Sequence, residues 1–199
     1  MFGNEHLKAL VECAGRALEF EDRYLTGCAH VRGWKTIRTG IWANINERYY
    51  QFVVWRALMS SFPWRPHTEA QTHDLAFYEG ESNELVGVAE MKVWYGKTYG
   101  VEAIRADVQS LRKVSVPAVM LIIAGLPKER TEERLEWLAE KIEVSRQDFV
   151  TYTFDTVPCP PDPPPVIFVA IGFFVPQEPT APSSHRPGSA DRFPATPES

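Results

Sequence analysis

Asp74, Glu90 and Lys92 are the residues of this chain whose types and spacing could do chemistry. Glu90 and Lys92 lie inside the apolar run ELVGVAEMKVW, while Asp74 opens the shorter run DLAFYE on the other side of GESN. Both runs read as strands, and a polar turn between them makes a hairpin. Side chains alternate along a strand, so Glu90 and Lys92 share a face about 7 Å apart, with Val88 on the same face. Ala89, Met91 and Val93 take the other face. A hairpin turning at GESN brings Asp74, far from the turn, to the Glu90–Lys92 end of its neighbour. Two carboxylates then converge beside one ammonium. Like charges held close are costly unless something neutralises them, and a divalent cation does so. Mg²⁺ needs only one or two carboxylates besides waters and a substrate phosphate, so Mg²⁺, with Mn²⁺ as a substitute, is the expected cofactor. Metal-bound water loses a proton more readily, and the metal offsets charge developing on phosphorus. A neighbouring lysine can orient or deprotonate that water. The spacing supports metal-assisted hydrolysis of a phosphodiester.

The elements that must position these groups follow from periodicity. Leu7, Leu10, Val11, Ala14 and Leu18 mark an amphipathic helix over 4–24, followed by the loop TGCAHVRGWKTIRTG. A second helix over roughly 42–61 is apolar on most faces and should end before Pro63. After the hairpin, Val101, Ile104, Val108 and Leu111 return to helical period. PAVMLIIAGL has the continuous apolar character of a strand covered on both faces. TEERLEWLAEKI reads as a helix with Thr131 as its cap. DFVTYTFDT and VIFVAIGFFV are two further strands, joined by the stiff PCPPDPPP linker. The expected fold is α/β, a mixed central β-sheet flanked by helices on both faces. Residues 1–175 form one domain, and 176–199, rich in Pro, Ser and Thr, are a tail expected to be disordered.

This arrangement resembles the PD-(D/E)XK nuclease superfamily, the restriction-endonuclease-like fold. The matching residues are Asp74 on the first hairpin strand, Glu90-Met91-Lys92 on the second, and the helix and strand that follow. The resemblance covers about residues 41–125. It implies that Asp74 and Glu90 hold the metal, that the Met91 carbonyl assists, and that Lys92 serves the water. Many members carry an acid on the preceding helix, and Glu47 fits, since Tyr50, Val54 and Leu58 follow it at inward spacing. Gln109 is the best match for a polar residue of the following helix, with Lys113 one turn on. His73 stands where members commonly have proline.

Each residue also has a plainer reading. Glu90 and Lys92 could be an exposed ion pair worth under ~1 kcal/mol. Asp74 could merely open a strand, and Glu47 could pair with an arginine such as Arg48 or Arg56. Gln109 and Lys113 could line a solvated helix face, and His67 and His73 could be surface or structural residues rather than ligands.

Charge bears on partners. The chain of 199 residues has a net charge of −5, yet Arg23 to Thr68 holds seven bases and one acid, Glu47. That segment also carries aromatics, including Trp34, Trp42, Trp55 and Trp64, a combination suited to tracking phosphates and stacking on bases. The expected nucleic-acid contacts are Arg32, Lys35, Arg38, Lys97, Arg105 and Lys113. The expected activity is a metal-dependent nuclease acting on DNA. The alternative is a non-catalytic nuclease-fold module binding nucleic acid or a protein partner, in a defence, phage or toxin setting. Dimers are common in the superfamily, so a homodimer is compatible with this reading. The longest apolar run, VIFVAIGFFV, is half the roughly 20 residues of a membrane helix. Three cysteines without C-x-x-C spacing suggest neither a disulfide framework nor zinc, and a cytoplasmic setting is expected.

Overall fold

The computed structural model describes residues 2–31, 46–70, 73–80, 82–96, 98, 100–156 and 166–177. Among these residues the α-helices are α1 (Asn4–Val31), α2 (Glu47–Ser61), α3 (Val101–Leu111) and α4 (Thr131–Ile142). Six strands are β1 (Arg65–Ala70), β2 (His73–Glu79), β3 (Glu84–Trp94), β4 (Ala118–Pro127), β5 (Val150–Asp155) and β6 (Val166–Val175). They form one sheet in the order β1-β2-β3-β4-β6-β5. The β3–β4 pair is parallel and the other four pairs are antiparallel, so the sheet is mixed.

α3 is the crossover that parallel pairing of β3 and β4 requires. β4 sits in the middle and is buried on both sides, which explains its unbroken apolar sequence. Val119, Leu121 and Ile123 pack with α1 and α2, whereas Met120, Ile122 and Ala124 pack with α3 and α4. The two cores thus cover opposite faces of the sheet, with helices on each. α1 lies directly against β6: a Cβ on Gly172 would come within 2.3 Å of Val11 Cγ2.

Local sequence sets the helix ends. The Asn46 side chain caps α2 by accepting the Tyr49 amide at 3.1 Å. α2 stops at Ser61, and Phe62 turns extended ahead of Pro63. Thr131 does not cap α4 as expected. It is the first helical residue, and its hydroxyl donates back to the Pro127 and Lys128 carbonyls at 3.1 and 3.2 Å.

One further expectation is corrected. α1 runs to Val31, through a stretch that reads as loop, because Leu25 and the buried Thr26 keep packing past Gly27's poor propensity. β1 joins the sheet edge although RPHTEA has no apolar alternation; Pro66 suits such an edge. Arg32, Lys35, Arg38, Lys97 and the tail beyond residue 177 lie outside the described residues. Among the described residues, no helix is long and apolar enough to cross a membrane.

Candidate functional site

The hairpin contains a register change that decides which side chains meet. Near the turn, Glu79 pairs with Glu84 and Tyr78 with Leu85. Continued unchanged, that register would set Asp74 opposite Ala89, whose side chain points into the α1–α2 core. An irregularity between Phe77 and Tyr78 intervenes, and beyond it Phe77 pairs with Gly87, Ala76 with Val88 and Leu75 with Ala89. The extra residue on β3 is Val86, as in a β-bulge. One step further, the shifted register sets Asp74 opposite Glu90. Ala76 and Val88 belong to the α3–α4 core, so Asp74, Glu90 and Lys92 all face α3.

Asp74 also reaches β3 through the backbone. Its Oδ2 accepts the Met91 amide at 2.8 Å, while the Met91 side chain is buried in the opposite core. The tripeptide Glu90-Met91-Lys92 is thereby fixed relative to the acid across the hairpin.

The Asp74 and Glu90 carboxyls interact strongly. Burial, then the Asp74 charge, a hydrogen bond with Asp74 and the Asp107 charge push the Glu90 carboxyl up to about 8, with Lys92 opposing. At neutral pH Glu90 therefore holds a proton. His73 Nδ1 lies 2.9 Å from Glu90 Oε1. Burial lowers the His73 pKa despite Asp74, so His73 and Glu90 form a neutral hydrogen bond rather than an ion pair. A raised pKa on one member is the usual result when two carboxyls occupy one site.

Lys92 is held by two other acids. Its Nζ is 3.5 Å from Glu47 Oε1 and 3.2 Å from Asp107 Oδ2. Burial alone would lower the Lys92 pKa, but Glu47, Asp107 and Asp74 outweigh it and hold it above the usual lysine value. Glu47 begins α2, and the buried Tyr50, Val54 and Leu58 follow it on the inward side. Its second oxygen accepts the Val93 amide at 3.2 Å. Among the described residues, Glu47 is therefore joined to β3 and to no arginine; Arg56 pairs with Glu21 at 3.3 Å.

Asp107 was not anticipated from the sequence. It lies three residues after Ile104 and four before Leu111, both buried, so it falls on α3's inward stripe. An acid among apolar residues at that spacing is the signal that would have found it. Asp107 Oδ2 is buried, with the Lys92 ammonium 3.2 Å away. Gln109, two residues on, is exposed and does not join the group, as is Lys113. Arg105 pairs with Glu143 on the far side of α3. His67 is exposed on β1 and packs edge-on against Tyr78.

A cleft of about 640 Å³ opens beside Glu47 and Lys92. Val93 and Tyr95 from the end of β3 and Glu102 and Ala103 from the first turn of α3 help to line it.

Compared with protein-family models, curated proteins and solved structures, the chain matches none. Among the described residues, no three His, Cys, Asp or Glu side chains gather as a metal-ligand group. Asp74 and Glu90 nevertheless form a hydrogen-bonded carboxyl pair, and Mg²⁺ is commonly held by one or two carboxylates. In chemical terms, the group offers two hard oxygen donors, a fixed ammonium and an adjoining cleft.

Proposed function

We propose that this chain is a divalent-metal-dependent nuclease of the restriction-endonuclease-like kind, hydrolysing phosphodiester bonds of DNA. The observation that carries this reading is the pairing of Asp74 with Glu90 across the bulged hairpin, beside a lysine held by two further acids. The order of elements around that hairpin, a helix before it and a helix and parallel strand after it, supports the same reading.

Asp74 and Glu90 would hold Mg²⁺ or Mn²⁺, which supplies an acidified water and offsets charge on the phosphate. Asp74 is anchored by the Met91 amide, so its carboxylate is held in a fixed direction. A cation held there would favour the ionised form of Glu90. Lys92, kept cationic by Glu47 and Asp107, orients the attacking water and stabilises the negative charge that builds on phosphorus. Glu47 and Asp107 position Lys92 without needing to touch the substrate.

A non-catalytic module of the same fold, binding nucleic acid or a protein, is the second reading; the net charge of −5 favours it. Cleavage of plasmid and single-stranded DNA in Mg²⁺ or Mn²⁺, beside Asp74→Ala and Lys92→Ala, separates the two. Metal-dependent cutting that both substitutions abolish supports the nuclease. Intact DNA under every condition, with DNA still retained, supports the binding module.

A further inference from the structure

We infer that His73 is the positioning residue for Glu90: its Nδ1–H donates to Glu90 Oε1 and holds that carboxylate in the orientation in which it takes a divalent cation. The inference rests on the metal-dependent reading of the site.

His73 Nδ1 lies 2.9 Å from Glu90 Oε1, an ordinary hydrogen-bond length, and the two side chains are only 13% and 14% exposed. A hydrogen bond so withdrawn from water is electrostatically stronger than an exposed one. His73 opens β2, and its backbone is set opposite Ala70 of β1, so the ring is carried by a paired strand.

The neighbouring groups show what such a partner does. The Met91 amide holds Asp74, and Glu47 and Asp107 hold Lys92. Glu90 has one more rotatable bond than Asp74, so fixing its carboxyl costs more side-chain freedom. Its bond to Asp74 joins it to the other ligand of the pair. His73 supplies a link from the Glu90 carboxyl to a group outside that pair.

The donor and acceptor roles follow from the chemistry of the ligand. A carboxylate that holds a cation is an acceptor only, so the ring nitrogen beside it must be the donor. An imidazole can donate without carrying a full charge, whereas a lysine or arginine in its place would compete with the cation for the carboxylate. Carboxylates that bind metals are commonly held by a second hydrogen bond of this kind, and losing it weakens binding by roughly 10- to 100-fold.

The test is a Mn²⁺ titration, followed by the electron paramagnetic resonance signal of free Mn²⁺, of the full chain, His73→Phe and His73→Asn. Phenylalanine keeps a ring and removes the donor, while asparagine loses the ring and keeps an amide donor near the Nδ1 position. His73→Phe should bind Mn²⁺ roughly 10- to 100-fold more weakly than the parent, and His73→Asn within about threefold of it. A second readout needs no variant: in the ¹⁵N spectrum of the Mg²⁺-loaded parent, His73 Nδ1 should carry a proton. Parent-like affinity in His73→Phe, a His73→Asn as weak as His73→Phe, or an Nδ1 without its proton overturns the inference. Cleavage of plasmid DNA in Mg²⁺ by the same chains tells the two claims apart. A His73→Phe that binds Mn²⁺ and cuts as the parent does keeps the nuclease and removes the role of His73. Mn²⁺ binding that His73→Phe weakens and His73→Asn restores, with DNA left intact by the parent, keeps that role and removes the nuclease. A parent that takes up no Mn²⁺ removes both.

Discussion

The Asp74 carboxylate accepts the Met91 amide at 2.8 Å, tying the residue between Glu90 and Lys92 to the acid on the neighbouring strand. Two side chains on one face of β3 and one on β2 are thus referenced to a single backbone group. The anchor is charge-assisted, and the Asp74 carboxylate meets Glu90 as well as the Met91 amide. The β-bulge at Val86 makes the arrangement attainable, because without it Asp74 would face Ala89.

Replacing Asp74 tests that anchor. Asp74→Ala strips the Met91 amide of its acceptor and should lower stability by about 1–3 kcal/mol at pH 5, measured by urea unfolding. The loss should shrink toward pH 9, because removing Asp74 also removes a charge that opposes ionisation of Glu90.

Glu90 makes stability depend on pH in a defined direction. Its carboxyl is raised from 4.5 to about 8 in the folded chain, so the fold favours the protonated form. The Glu90 contribution is fully present below 4.5 and is lost as pH rises through about 8. The stability of the parent relative to Glu90→Gln should therefore fall between pH 5 and 9. A relative stability that rises across that range would contradict the assignment. Saturating Mg²⁺ at pH 7 should release a proton, detectable in weakly buffered solution.

Asp107 should matter more for turnover than for metal affinity. Asp107→Asn keeps the shape but leaves Lys92 with one carboxylate in contact, Glu47. The expected result is a loss of about 10- to 100-fold in kcat, the range for groups that orient a reacting residue, with a smaller change in Mn²⁺ affinity because the Asp107 charge also acts on Glu90. Gln109→Ala, on the exposed side of the same helix, should leave both unchanged.

Packing of α1 on β6 leaves no room for a methyl group at Gly172. Gly172→Ala should cost about 1–3 kcal/mol by overpacking against Val11, and Val11→Ala in the same chain should recover part of it. Thermal melts of the two single variants and the double variant give the coupling. Additive losses would place the strain elsewhere.

How much of this was legible in the sequence depends on range. The alternation of ELVGVAEMKVW fixed which side chains share a face, and the apolar run of β4 declared its burial. The inward stripe after Glu47 also carried over, since Tyr50, Val54 and Leu58 are fully buried. What failed depends on distant partners. The bulge opposite Tyr78 leaves no mark in GESN, so the Asp74–Glu90 register cannot be counted from the turn. β1 forms because β2 offers it an edge, not because RPHTEA has strand character. Asp107 was readable from its spacing to Ile104 and Leu111, but Gln109, on the polar face, drew the attention.

The measurement that bears most directly on the central claim, a divalent-metal site at the Asp74–Glu90 pair, is a Mn²⁺ titration followed by the electron paramagnetic resonance signal of free Mn²⁺. The account predicts saturable binding to the parent chain and to Lys92→Ala, and its loss in Asp74→Asn. Binding that survives Asp74→Asn, or a parent chain that takes up no Mn²⁺, would contradict it.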